Sequence, residues 1–329
     1  MDRVLVTGGA GFIGSNFVRH LLNNTNCAVV NLDKLTYAGN LNNIKDLRGE
    51  KRHKFIRGDI RNRKLVGSLV KKADAVVNFA AESHVDRSIQ TPSVFVETNV
   101  LGVQVLLEAC RRFGVRFEQI STDEVYGSRV EGSFVEADAL NPSSPYSASK
   151  AAADLLVNAY HITYGLEVTA TRSTNNYGPN QHPEKLIPRL ITNALRGKPL
   201  PIYGSGQNIR DWIFVDDDCG AILTVLEKGE KGQIYNIGGG NERKNLEIAK
   251  EILHCLSLPE AMLELVPDRP GHDFRYSIQC SKVQRLGWKP QVGFEEGLQK
   301  TVDWYRTNEW WWRRLVRPIE PVATVNSNS

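Results

Sequence analysis

The chain has 329 residues, 41% hydrophobic and 24% charged, and its 41 basic against 37 acidic residues leave a net charge of +4. This is the composition of a globular protein with room for one large or two medium folding units. The charge is too mild to argue for nucleic acid, and no apolar run approaches the roughly 20 residues that a membrane span needs.

Met1-Asp2-Arg3 leads straight into the apolar run 4–6, without the basic region and long apolar stretch of a signal peptide, so a cytoplasmic chain is expected. Strands are predicted at 4–7, 28–32, 54–56, 75–79, 117–121 and 168–171. Between them, 13–22, 94–112 and 147–163 carry apolar residues at helical spacing. This alternation predicts an α/β fold, a Rossmann-type doubly wound parallel sheet over residues 1–172. From 173 the composition shifts to Pro, Gly and Asn, which predicts a smaller C-terminal substrate-binding α/β region over 173–317, built of irregular segments. Residues 211–226 read as a strand and helix that return to the first unit. A helix at 294–307 precedes the aromatic-basic run Trp310-Trp311-Trp312-Arg313-Arg314, read as packing, and the polar tail 318–329 is expected to be disordered. Cys27, Cys110, Cys219, Cys255 and Cys280 are odd in number, scattered and without metal-type spacing, so they are expected as thiols, with no metal site.

Directly after the first strand stand Gly8, Gly11 and Gly14, with Phe12 and Ile13 between the last two. Glycines there permit a tight turn, close backbone approach to a pyrophosphate and packing of helix on strand. The helix that follows would offer its free N–H groups to the phosphates. About 20 residues on, the second strand ends in Asp33, an acid that can bond both ribose hydroxyls and would repel a 2′-phosphate, which favours NAD. Lys34 beside it leaves NADP open, and Asp59 closes the third strand where an adenine edge would lie.

Tyr146 and Lys150 are four residues apart, on one helical face. A free phenol, with a pKa near ~10, is a poor base at neutral pH. A neighbouring cation, together with a positive nicotinamide, would favour phenolate and let it take a proton from an alcohol. At the end of the fifth strand come Thr122-Asp123-Glu124. Ligands sit at such strand ends in an open α/β sheet. Simple alcohol oxidation needs no added acid and base, whereas elimination must remove one proton and protonate a leaving hydroxyl.

With these motifs the sequence resembles the dTDP-glucose 4,6-dehydratases of the extended short-chain dehydrogenase/reductase family. The likeness runs from about Arg3 to Trp312, through segments 7–14, 33–40, 80–88, 121–127, 144–150, 175–179, 183–188 and 268–272. It implies that Tyr146, helped by Lys150, deprotonates the hydroxyl on sugar carbon 4 as hydride passes to NAD⁺. Glu124 would then take the carbon-5 proton while Asp123 protonates the hydroxyl leaving carbon 6, and NADH would return its hydride to carbon 6. For this, Asp123 must be held protonated and Glu124 ionised, by burial or by mutual repulsion. The resemblance further implies that Thr122 bonds the sugar oxygen on carbon 4. It places Thr36, Ile60, Ala80, Ala81, Thr98 and Asn176 at the cofactor, and Ser83 and Asn175 at the sugar. Lys185, Arg210, Asn245 and the loop holding Asp268, Arg269 and His272 would hold the nucleotide diphosphate, with Arg suited to bidentate grip of phosphate, and Leu186 would touch the substrate. Asn180 departs from the family, which has an aromatic residue there. A homodimer through the helices at 94–112 and 147–163 is also implied.

Three rivals remain. A UDP-glucose 4,6-dehydratase would differ only in contacts to the base, around Pro201, Tyr203 and Asn245. A nucleotide-sugar 4-epimerase has no leaving group to protonate, so Asp123-Glu124 argues against it. A non-catalytic NAD-sensing protein would need the glycine turn and Asp33 but not the four reactive side chains together.

Overall fold

The computed structural model describes residues 1–268 and 271–316; Arg269 and the tail expected at 318–329 lie outside the described residues. Twelve strands are formed in chain order among the described residues. They are β1 (Arg3–Thr7), β2 (Ala28–Asp33), β3 (His53–Arg57), β4 (Ala75–Asn78), β5 (Arg116–Thr122), β6 (Val168–Ser173), β7 (Asn175–Tyr177), β8 (Leu200–Tyr203), β9 (Ile209–Phe214), β10 (Gln233–Ile237), β11 (Glu242–Lys244) and β12 (Leu263–Val266). The first six strands coincide with the six expected from sequence, with small shifts of boundary.

The large sheet has the order β10-β6-β5-β4-β1-β2-β3, parallel throughout. The order reverses between β1 and β4, which opens a crevice at the carboxyl ends of the strands where ligands bind in such sheets. Every residue of β4 is buried, as a central strand covered on both faces requires.

Helices cover both faces. They are α1 (Phe12–Asn24), α2 (Arg63–Val70), α3 (Val85–Gln90), α4 (Pro92–Phe113), α5 (Pro145–Tyr164), α6 (Leu186–Leu195), α7 (Val215–Lys228), α8 (Asn245–Cys255) and α9 (Phe294–Thr307). α1 and α7 share one core with the sheet, including Phe17, Leu21, Cys219 and Ile222. On the opposite face, residues of α2, α4 and α5 such as Val66, Leu106 and Val157 form a second core. α6, α8 and α9 build a third core in the second half with Tyr177, Trp212 and Trp312.

Three expectations need correction. The segment 211–226 divides: α7 does pack on the first half, but β9 pairs with β7 and β11 in a separate three-stranded sheet. The strand that joins the large sheet is β10, beside β6. The second half is also less irregular than expected, because its elements are short and each hides its apolar face in a core that only the fold assembles. Finally, α4 is 22 residues long and holds an 18-residue window of mean hydropathy 1.3, so among the described residues one helix does reach the length and apolar content of a membrane span. Half of that apolar window is buried inside the fold, as in a core helix.

The ends of α5 follow from its sequence. Ser144 caps the N-terminus by accepting from the Ser147 backbone N–H, Ser147 returns the bond, and Pro145 occupies the first turn. Gly165 ends the helix at φ 66°, a left-handed position that suits glycine. Inside the fold, the Arg172 guanidinium on β6 donates to Asp154 of α5 at 2.9 Å and to the Tyr126 hydroxyl at 2.7 Å. Tyr126 in turn donates to Asn236 of β10 at 2.8 Å. All four side chains are buried.

Removing one partner of a buried ion pair strands the other charge, at a cost of about 3–5 kcal/mol, whereas replacing both with apolar groups is far milder. Arg172→Met should therefore destabilise the protein by that amount in urea unfolding, and Arg172→Met combined with Asp154→Leu should recover most of it. Equal losses in the single and double variants would contradict this account.

Candidate active site

The glycine turn is fixed by contact. A Cβ at Gly8, where φ is +71°, would sit 2.6 Å from the Ala80 backbone nitrogen, and one at Gly14 would sit 2.4 Å from the Gly8 carbonyl oxygen. Only glycine lets β1, β4 and α1 approach so closely. The N-terminus of α1 has no side-chain cap and no acid in its first turn, so its N–H groups are left for an anion. Asp33 closes the turn, accepting from Ala10 N at 3.0 Å and Leu35 N at 2.7 Å. Lys34 is held 2.9 Å from Asp59, which also grips Arg61; burial raises the Asp59 carboxyl, but bonds from Arg61 and then Lys34 outweigh it and pull it down to about 2. The cation that left NADP open is thus neutralised from the side.

One cavity of about 300 Å³ runs from this turn to the ends of β5 and β6. Its walls include Gly8, Gly11, Phe12, Ile13, Gly14, Asp33, Lys34, Thr36, Asp59, Ile60, Ala80, Ala81, Thr98 and Asn176 at the cofactor end. Thr122, Asp123, Glu124, Tyr146 and Lys150 line it too, as do Ser83, Asn175 and Lys185. The glycine cradle, the uncapped helix and the ribose-end acid are a set that fits a dinucleotide. Asn176 also buries an Oδ1 that has no protein partner.

β5 ends at Thr122, whose hydroxyl caps the short turn Asp123–Tyr126 by accepting from Glu124 N at 3.3 Å. The same hydroxyl donates to Asp123 Oδ1 at 3.3 Å. Asp123 is buried, its Oδ2 has no partner, and burial first, then the Glu124 carboxyl, push its pKa well above the ordinary carboxylate range. Burial also pushes the Tyr146 phenol up, with Glu124 adding to the effect. The Lys150 ammonium, brought down to about 8 by burial, donates to the Ile120 carbonyl of β5.

Of the residues expected at the nucleotide diphosphate, Lys185 lines the cavity and the other described ones lie outside that lining. Arg210 is buried on β9, donating to the Asp273 carbonyl at 2.8 Å with its guanidinium 4.1 Å from the Tyr276 ring centre, and its charge reaches Asp123. His272 bonds Asp268 at 2.7 Å and meets the Tyr203 ring edge-on. Asn245 starts α8 with a buried, unpartnered Oδ1, and Pro201 stands on β8 beside Tyr203. Leu186 opens α6 and packs on the third core. Arg269 lies outside the described residues.

Several site residues escaped the sequence reading. Asn99 sits in a π-helical turn of α4, Val96–Gly102, which aims it inward. It accepts from Glu82 N at 2.9 Å, donates to the Glu82 carbonyl at 3.0 Å, and donates to Ser149 at 2.9 Å. A polar residue at the centre of an apolar helical run was the available signal. Tyr276 gave none, because only the fold carries it to Arg210 and within electrostatic reach of Glu124. His182 and Glu184 line the cavity as well. Asn180, the departure from the family, adopts φ 69°, a left-handed position that asparagine tolerates, and it is buried against Asn43.

The sequence profile described as GDP-mannose 4,6 dehydratase matches residues 5–301. The chain is similar to a low-salt glycan biosynthesis protein, Agl12, of Haloferax volcanii, at 54% identity over 92% of this chain and 98% of the relative. It is 52% identical to a dTDP-glucose 4,6-dehydratase of Streptomyces niveus, over 98% of each chain. Among solved structures, the dTDP-glucose 4,6-dehydratase DesIV of Streptomyces venezuelae with NAD and TYD bound matches with a TM-score of 0.94 at 52% identity, covering 95% of this chain and 100% of that one.

Because a Cβ at Gly14 would press into the backbone of the glycine turn, Gly14→Ala should weaken dinucleotide binding at least about tenfold, or ~1.4 kcal/mol. Calorimetric titration of nucleotide-free protein checks this, and an unchanged affinity would show that the helix end does not hold the phosphates.

Proposed function

We propose a division of catalytic labour for this chain, which belongs to the GDP-mannose 4,6 dehydratase family and within it to the dTDP-glucose 4,6-dehydratases. Its reaction converts dTDP-glucose to the 4-keto-6-deoxy sugar nucleotide, with NAD as cofactor. NAD, when bound along the glycine turn, supplies the chemistry of taking hydride from sugar carbon 4 and giving it back at carbon 6. Gly8, Gly11 and Gly14 leave room for the pyrophosphate, and Asp33 receives the ribose hydroxyls.

Tyr146 takes the proton from the carbon-4 hydroxyl. Burial works against its phenolate, so the positive charge that Lys150 holds one helical turn on offsets part of that penalty. Glu124 takes the carbon-5 proton and Asp123 gives a proton to the hydroxyl leaving carbon 6. Ser83 and Asn175 hold the sugar, while Lys185, Arg210, Arg269 and His272 hold the diphosphate.

The observation that carries this reading is the pairing at the end of β5. A buried carboxyl, pushed well above the ordinary carboxylate range by burial and then by its neighbour, stands next to that second carboxyl, and a phenol and an ammonium line the same cavity. An epimerase has no use for that proton. The test is incubation of purified protein with dTDP-glucose, without added NAD, followed by alkali-induced absorbance of the 4-keto sugar. Product is expected because the cofactor is regenerated in each turnover and retained. Keto product from UDP-glucose alone would move the substrate assignment, and none from either would sink the dehydratase reading. Asp123→Asn should slow elimination about 10²–10⁴-fold while the reduced nicotinamide still forms. Loss of that first step instead would remove Asp123 from the acid role.

The chain also works as a homodimer in this reading. α4 and α5 present Val94, Val96, Leu101, Leu155 and Ile162 to the outside, a face whose burial in a second copy would be favourable. All five cysteines are free thiols, in keeping with a cytoplasmic site. Light scattering should give twice the chain mass, and Leu155→Glu with Ile162→Glu should give a monomer. A wild-type monomer would refute the pairing.

A further inference from the structure

Three polar side chains cross the core of the large sheet where apolar ones would pack more cheaply. Thr7, Asn78 and Gln119 are neighbours on β1, β4 and β5, in the registers Thr7↔Asn78 and Asn78↔Gln119. Two residues earlier on the same strands, and so on the same face, stand Leu5, Val76 and Phe117 of the core beneath α2, α4 and α5. All three polar side chains are buried, none more than 1% exposed. Burying an amide is unfavourable unless it is hydrogen-bonded, and an apolar row would carry no such penalty.

The row offsets that penalty by forming one chain. The Thr7 hydroxyl donates to Asn78 Oδ1 at 2.5 Å, Asn78 Nδ2 donates to Gln119 Oε1 at 2.9 Å, and Gln119 Nε2 donates to the Ile120 carbonyl at 3.2 Å. Thr7 Oγ1 in turn accepts from the Ala80 backbone N–H at 3.4 Å. The ends fix the direction of every link, because an N–H can only donate and a carbonyl can only accept. At one end, Ala80 is part of the dinucleotide cavity wall, where the glycine turn closes on it. At the other, the Ile120 carbonyl is the group that accepts from the Lys150 ammonium. The chain therefore runs from the seat of the cofactor to the cation of the reactive pair, and Asn78 and Gln119 lie behind the cavity lining rather than in it.

We propose that the Thr7–Asn78–Gln119 row positions the Lys150 ammonium relative to the dinucleotide seat: Gln119 holds the Ile120 carbonyl in place, and Asn78 and Thr7 hold Gln119. Each of the three acts through Lys150 and is a positioning residue. An ammonium has three donors, so one bond to a fixed oxygen leaves the others to the cavity that Lys150 lines. The inference rests on the role given above to Lys150.

A double-mutant cycle separates this role from simple reinforcement of the sheet. Rapid mixing of NAD-loaded protein with dTDP-glucose reads the rate at which reduced nicotinamide forms, per loaded site. Gln119→Met, similar in volume but without a donor, should slow that step about 10–10²-fold, as expected when a catalytic group is slightly misplaced. KM should stay within about twofold, because the contacts that bind substrate are untouched. In a Lys150→Met background the residual rate should not fall further on adding Gln119→Met, since the group it acts through is gone. Asn78→Leu should slow the same step, and Asn78→Leu with Gln119→Met should be no slower than Gln119→Met alone, because one chain cannot be severed twice. Urea unfolding follows stability separately. Variants that lose stability while hydride transfer per loaded site is unchanged would overturn the proposal and leave the row as a brace of the sheet. So would losses that multiply when Gln119→Met and Lys150→Met are combined. If Gln119→Met does not fold, the paired replacement at 78 and 119, which leaves neither amide unpaired, carries the same cycle against Lys150→Met. Absence of reduced nicotinamide in wild type would instead count against the dehydratase reading.

Discussion

The bond from the Lys150 ammonium to the Ile120 carbonyl ties the reactive helix to the reactive strand. It fixes α5 against β5 two residues before Thr122, so the phenol of Tyr146 and the acids after β5 arrive at one place. The capping box at Ser144 sets where α5 starts, and hence which turn carries Tyr146. Parallel pairing of β5 with β4 and β6 sets where β5 ends. Asn99 adds a brace from the other side, joining the backbone of Glu82 to Ser149, whose hydroxyl donates to the Tyr146 carbonyl at 2.7 Å.

Burial then divides the work among groups of similar kind. Desolvation disfavours charge, so it raises the carboxyl of Asp123 and the phenol of Tyr146 and lowers the ammonium of Lys150. For Asp123 this is what an acid requires. For Tyr146 it opposes the proposed role of base, which a neighbouring positive charge would favour.

The two halves of the chain are joined at the site rather than merely adjacent. Trp311 donates to Asn43 Oδ1 at 2.8 Å, and Asn43 donates to the Ala10 carbonyl in the glycine turn at 2.9 Å. Tyr305 of α9 donates to the carbonyl of Gln181, a cavity residue. The aromatic run near the C-terminus thus packs, as expected, but it packs across the boundary and steadies the cofactor turn. Arg172 does the same inside the sheet, linking α5 and, through Tyr126, β10.

How much of this was legible in the sequence follows from the range of each cause. The glycine turn, Asp33, the first six strands and the Tyr146–Lys150 pair are local patterns, fixed by sterics and by helical or strand period, and they could be read directly. The acids at 123 and 124 gained meaning from their place at a strand end, which is also local. The seventh strand, β10, could not be assigned, because its pairing with β6 spans more than 60 intervening residues. Nor could the source of the Asp123 shift, since burial is a property of the assembled cavity. The gathering of Thr122, Asp123, Tyr146 and Lys150 around one cavity is likewise tertiary. Sequence alone determined which reactive groups the protein owns and roughly where each sits on its element. The tertiary structure decided which of them touch and how far each is removed from water, because proximity and desolvation are set by packing between segments distant in the chain.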